Sequence, residues 1–275
     1  MSTKTAYTVL HTYAQSCCTH LQRDNYENGS WLDLLEGEHQ SGLGELVKAG
    51  LTEKQRSLAS LRLKDGGLAF GGLRDRSAAA FLASWATCLG HVGGQVGAGS
   101  LEGFSSRCPS LWAELGQAER DWRIAGGNGG QSLDWTRWFA EGAGGLQGVW
   151  GKEISACKRE ALLRDLSDED AADLRSHGGP GAGSFLLPTQ EGMPAMPDGH
   201  FCVALCDRLL LPVCQEGARC QHRRSDGTLC GALLDSRGHH ARKCNIGGAL
   251  GKRLDNLRDH GARSWTCLHQ HAGAP

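Results

Sequence analysis

Residues 66–92 read GGLAFGGLRDRSAAAFLASWATCLGHV. Within them Ala78, Phe81, Leu82, Trp85 and Leu89 stand at i, i+3, i+4, i+7 and i+11. That spacing places apolar side chains on one face of a helix. Trp85 is read as a core residue, not as a platform for a stacked base. The glycines ahead of the helix form no phosphate loop, because neither Gly-Lys-Ser/Thr nor a dinucleotide pattern accompanies them.

Upstream, Thr52 and Gln55 make a capping box before Leu58, Leu61 and Leu63, and this helix should stop at Asp65-Gly66-Gly67. Residues 1–50 are poorly defined, with short helical candidates at Tyr7–Leu21 and Trp31–Leu35. The adjacent pair Cys17-Cys18 is read as incidental. Downstream, 91–108 reads as a glycine-serine loop, and Pro109 opens a helix through Trp112 and Leu115 to Trp122. A glycine cluster at 126–130 breaks the chain. Trp135, Trp138 and Phe139 mark another helix, and Ile154, Cys157, Ala161, Leu162 and Leu166 a longer one. Asp168-Glu169-Asp170 then places three acids in a first turn, where they complement the macrodipole. They read as helix-end charges, not as a two-metal catalytic cluster.

His177–Pro197 carries four of the seven prolines and reads as a linker. Asp198 should cap a helix through Phe201, Ala204, Leu205 and Leu209. The expected division is an N-terminal segment 1–50, a helical body 51–176, the linker 177–197, a C-terminal region 198–263 and a tail 264–275. The expected fold is mainly α: several short helices, with a small zinc knuckle built from a short hairpin and a helix.

That knuckle lies in CQHRRSDGTLCGALLDSRGHHARKC, residues 220–244, which holds three cysteines and three histidines. Cys220, Cys230, His240 and Cys244 are the candidate ligands, with His239 or His222 as the alternative imidazole. Three thiolates and one imidazole make a tetrahedral shell for structural Zn2+. Nine residues between the first two cysteines is a long spacing, but Ser225-Asp226-Gly227 is a turn that would fold the segment into a hairpin and return one thiol to the other. The other reading is of free cysteines beside solvated histidines.

Twelve cysteines would suggest disulfides in a secreted chain. The N-terminus shows no basic segment followed by an apolar run, and no stretch is apolar enough for a membrane span. The expectation is a nuclear or cytoplasmic protein with reduced thiols, neither secreted nor membrane-bound, in which the Asn28-Gly29-Ser30 sequon has no meaning. Forty glycines are roughly twice the usual share. The net charge of −1 hides an asymmetry: residues 200–263 hold eleven Lys/Arg against six Asp/Glu. A basic segment around a metal knuckle is the footprint of a nucleic-acid contact.

Two blocks resemble the region downstream of the polymerase domain in non-LTR retrotransposon reverse transcriptases. RLKDGGLAFGGLRDRSAAAFLASWA resembles a GGLG-like turn before an alanine-rich helix with an ALASW-type ending. GPGAGSFLLP, MPDGHFCVALCDRLLLPVC and RCQHRRSDGTLCGALLDSRGHHARKCNIGG resemble the zinc-knuckle region that follows. The resemblance implies a helical thumb or linker, then a Cys-Cys-His-Cys knuckle that grips RNA or DNA. The polymerase's Tyr/Phe-x-Asp-Asp centre is not found here, and the sixteen residues after Asp259 leave no room for the family's endonuclease core. The family's Arg-His pair after the double glycine appears here as Arg253-Leu254.

The expected function is therefore non-catalytic binding of RNA or DNA. Arg219, Arg223, Arg224, Arg242, Lys243, Lys252, Arg253, Arg258 and Arg263 would meet the phosphates. The competing readings are a zinc-stabilised structural or protein-interaction module, whose signature would be an exposed apolar patch on the Trp-rich helices 109–140, and a decayed retroelement product without activity. A nuclease using Asp255, Asp259 and His260 is disfavoured, because residues on one helix do not make a two-metal site unaided.

Overall fold

The computed structural model describes residues 2–14, 19, 21–23, 26, 30–127, 133–186, 196–244 and 246. Cys17-Cys18, the sequon at 28–30 apart from the backbone of Ser30, the basic helix expected at 252–263 and the tail lie outside the described residues. Contacts divide the chain into two units, Met1–Leu209 and Leu210–Pro275. The fold is mainly α-helical.

In the first unit the described helices are α1 (Thr3–Val9, continued by a π-helical turn Leu10–Ala14), α2 (Ser30–Val47), α3 (Glu53–Ser60), α4 (Leu73–Gln95), α5 (Leu101–Arg107), α6 (Pro109–Ile124), α7 (Trp135–Glu141), α8 (Leu146–Asp165), α9 (Asp168–Ser176) and α10 (Asp198–Arg208). The centre is α4, which packs against α2, α6, α7 and α8. Ser77 through Ala83 are all buried. The expected single apolar face was too narrow a reading, since Ala78, Ala79 and Ala80 are short enough to admit neighbours on several sides and a helix enclosed this way is buried all round. Trp85 packs edge-on to Phe81 at 6.2 Å and near Phe104 at 6.4 Å, as a core residue.

Two pairs of glycines position α4. Gly71 and Gly72 turn the chain with φ of 76° and 67°, the left-handed region that only glycine adopts freely. The helix then starts without a side-chain cap of its own. Glu36 of α2 replaces it, accepting from the Gly72 amide at 2.9 Å and the Leu73 amide at 2.7 Å. A carboxylate here satisfies orphan donors and meets the positive end of the macrodipole. At the other end a Cβ on Gly90 would lie 2.1 Å from the Phe139 carbonyl oxygen, and one on Gly93 would lie 2.4 Å from the Phe139 ring. These two positions let α7 close onto α4.

The Thr52–Gln55 capping box is present: the Thr52 amide donates to Gln55 at 2.8 Å and the Thr52 hydroxyl accepts from the Gln55 amide. The helix ends at Ser60, short of the expected Asp65, with Leu61 extended and a 3₁₀ turn at Leu63–Asp65. Returning chain explains the stop. Leu68 and Phe70 amides donate to Ala59 O at 3.1 and 2.9 Å, and the Ala69 amide to Leu61 O at 2.7 Å.

Three other expectations change. The stretch 91–108 is not a loop throughout, because α4 runs on to Gln95 and Ser100 caps α5, whose Phe104 is fully buried. The short candidate at Trp31–Leu35 extends to Val47 across three glycines. Asp198 is the first residue of α10 and Pro197 stands at the cap, without a side-chain bond. By contrast α6, α7, α8 and α9 appear where Pro109, the tryptophans, Ile154 and the Asp168 acids placed them, with Ser167 capping α9.

The Trp-rich helices form core. Indole rings link Trp112, Trp135, Trp138, Trp150 and Trp122 in sequence at 5.6, 5.1, 5.8 and 5.1 Å. Trp122, Trp138 and Trp150 are buried, and Trp135 Nε1 donates to Glu119 at 3.0 Å.

Helix α10 belongs to this unit. Its Phe201 lies edge-on to Tyr7 at 5.8 Å. Buried Arg208 donates to the carbonyls of Gly67 at 2.6 Å, Ala182 at 2.9 Å and Leu63. Among the described residues no helix is long and apolar enough to cross a membrane.

Candidate metal centre

In the second unit two arms pair antiparallel. Arg223 lies opposite Leu229 and Arg219 opposite Leu233. Between them the Cys230 amide donates to His222 O at 2.7 Å, the Cys220 amide to Ala232 O at 2.9 Å and the Leu234 amide to Ala218 O at 2.7 Å. The turn is the one that Ser225-Asp226-Gly227 encodes. Gly227 takes φ 85° and its amide reaches Arg224 O at 3.0 Å, while Arg224 donates to Thr228 O at 2.8 Å, a three-residue hairpin loop with glycine in the left-handed position. Asp226 fixes it by accepting from the Thr228 amide at 2.9 Å and hydroxyl at 2.7 Å.

This register separates the side chains by parity. Positions 220, 222, 230 and 232 share one face, which makes Cys220 and Cys230 diagonal neighbours. Positions 219, 221, 223, 229 and 233 share the other. Burial agrees: Cys220 is 2 % exposed, whereas Leu229 and Leu233 are 43 % and 63 % exposed.

After the hairpin, Gly238 at φ 66° leads into α11 (His239–Lys243). Asp235 organises this entry, because its carboxylate accepts from the Arg237 amide at 2.9 Å, the His239 amide at 3.1 Å and His239 Nδ1 at 3.0 Å. With the His239 ring held by Asp235, His240 is the imidazole that turns to the thiols, its Nε2 lying 3.2 Å from Cys230 Sγ. One ligand atom from each of Cys220, Cys230, His240 and Cys244 lies within 4.8 Å of the other three. A tetrahedron with metal–sulfur bonds of about 2.3 Å has edges of about 3.8 Å, so the set closes on one ion with small adjustment. His222 and His239, the alternative imidazoles, fall outside the four.

The chemistry of the set suits a thiophilic metal. A backbone hydrogen bond from Ala232, with contributions from His240, Cys244 and Cys220, lowers the Cys230 thiol to about 7. Cys220 and Cys244 are both buried. Against a backbone hydrogen bond from Ile246, burial and hydrogen bonds with Cys220 and Cys230 hold the Cys244 thiol above its ordinary value, so a metal bound by thiolates would displace its proton. Cys214 stands outside the set and instead donates to Asp235 O at 3.1 Å.

Of the basic residues expected at a phosphate contact, Arg219, Arg223, Arg224 and Lys243 are exposed and Arg242 is half-buried. Arg219 and Arg223 each donate one bond within the hairpin, to Gly231 O at 2.9 Å and Gly227 O at 3.0 Å. Both therefore stand fixed on the face opposite the thiols. Lys252, Arg253, Arg258 and Arg263 lie outside the described residues. Asp235 is the residue that motif reading missed. Its signal was an aspartate two before Arg237 and four before His239, a side chain able to bond backbone amides just ahead. No protein-family profile, no curated protein and no solved structure matches the chain.

Proposed function

We propose that this chain is a non-catalytic, retroelement-derived protein that binds RNA or DNA, with Zn2+ held by Cys220, Cys230, His240 and Cys244. The observation that carries the reading is the four-ligand cluster on a hairpin whose other face presents Arg219 and Arg223. Zinc supplies a structural cross-link here, joining the hairpin to α11 and fixing the basic face. Guanidinium groups anchored by one backbone bond keep donors for phosphate oxygens.

The test combines metal content with binding. Elemental analysis should find about one zinc per chain. Affinity for duplex DNA should fall with salt by about 0.9 log units per log unit of salt for each phosphate neutralised. A zinc-loaded chain that binds neither RNA nor DNA at low salt overturns the proposal.

A second reading is a zinc-stabilised protein-interaction module, and the exposure of Leu229 and Leu233 beside the arginines favours it. Binding to a protein partner through those leucines would be weakened by Leu233→Ser and changed little by salt.

A further inference from the structure

We propose that a cavity on the helical unit binds a phosphate group, carried by a nucleic-acid strand or by a free nucleotide. The cavity is about 310 Å³ and is bounded by Arg62, Ala69 and Arg76 from the α3–α4 segment and by Gly148, Gly151 and Lys152 from α8. Its two remaining lining residues are uncharged, so three cations face it and no carboxylate does. The volume is at the lower end of the range for small-molecule sites, roughly 300 Å³.

Each cation has capacity left for a ligand. Arg62 stands 3.9 Å from Asp65, at the outer limit of an ion pair, and that carboxylate already accepts from Ser155 at 2.9 Å. Arg76 gives one bond to Ser60 O at 2.9 Å. Burial pulls its pKa below the ordinary value against the opposing pull of Glu36 and Asp75. Half-buried Arg76, giving that one bond from its five N–H groups, keeps donors that an oxyanion would fill. Lys152 is exposed at the rim. A larger hollow of about 410 Å³ beside Asp33 and Glu53 mixes four carboxylates with three cations and offers an anion no such pull.

The backbone is shaped to match. Ala69 holds φ 51°, a left-handed conformation that alanine rarely takes, and residues held so cluster where ligands bind. A Cβ on Gly148 or Gly151 would meet no heavy atom within 4 Å. These glycines are thus not required by packing. They leave the α8 side of the cavity unfilled, and a larger side chain there enters open space. The inference concerns the unit that lacks the metal centre and needs no metal.

Isothermal titration of the full chain at low salt tests it, with inorganic phosphate, adenosine monophosphate and a short single-stranded oligonucleotide as probes. The chains are the natural one, Cys230→Ser, which removes the metal-centred interface, and Lys152→Glu and Gly151→Leu each made in the Cys230→Ser background. The expected result is binding that survives Cys230→Ser and weakens about tenfold when Lys152→Glu or Gly151→Leu is added to that chain, the change that one charge-assisted contact supplies. Inorganic phosphate and the mononucleotide binding as tightly as the oligonucleotide assigns a free ligand; a much tighter oligonucleotide assigns a strand. Absence of binding to the Cys230→Ser chain by all three probes overturns the proposal, and so does unchanged affinity when Lys152→Glu is added to it, a change whose exposed position keeps the first unit folded if Gly151→Leu does not.

Discussion

Arg208 is 2 % exposed, with its guanidinium shared among three backbone carbonyls, two from the turn at 63–67 and one from Ala182. Replacing it by methionine keeps the apolar stem and strands those acceptors in the interior. We expect a loss of about 3 kcal/mol in a urea titration, with Arg208→Lys recovering little because an ammonium cannot span the same acceptors. At the candidate metal centre the matching change is Cys230→Ser, which on the proposed reading should abolish stoichiometric zinc by elemental analysis while Cys214→Ser leaves it intact. The cysteines of this centre were legible in the sequence because the turn at 225–227 dictates the hairpin and period two then aligns Cys220 with Cys230. The choice between His239 and His240 was not. It depends on Asp235 taking the first ring, a contact that ligand spacing does not encode.

Among the helices, glycine content misled where tertiary contacts decide. A Cβ on Gly37 in α2 would meet no heavy atom within 4 Å, whereas one on Gly90 in α4 would press against the Phe139 carbonyl. The same substitution should therefore have opposite signs. Gly37→Ala should stabilise by about 0.5–1 kcal/mol through helix propensity, and Gly90→Ala should destabilise by at least about 1 kcal/mol as α7 is pushed away. Paired denaturant midpoints would reveal it; equal shifts would refute the packing of α7 on α4. Local signals such as the Thr52–Gln55 box, Pro109 and the Asp168 acids were readable because each acts within one turn. The stop of α3 at Ser60 and the start of α4 were not, since amides from 68–70 close the first and Glu36, far upstream, caps the second.

For the whole chain, the division at Leu209/Leu210 and the confinement of the candidate ligands to the second unit lead to one expectation. A strong chelator should accelerate amide exchange across 213–236 and leave α4, α6 and α8 protected, because ligation supplies much of a small module's folding free energy. Uniform loss of protection would contradict that. The row of five indoles in the first unit has a separate consequence for light. Rings at 5.1–5.8 Å share excitation, so their fluorescence should be depolarised even in a viscous glass. Their transitions should also mix into an exciton couplet that overlaps the peptide bands, and helicity read from ellipticity alone will then be in error.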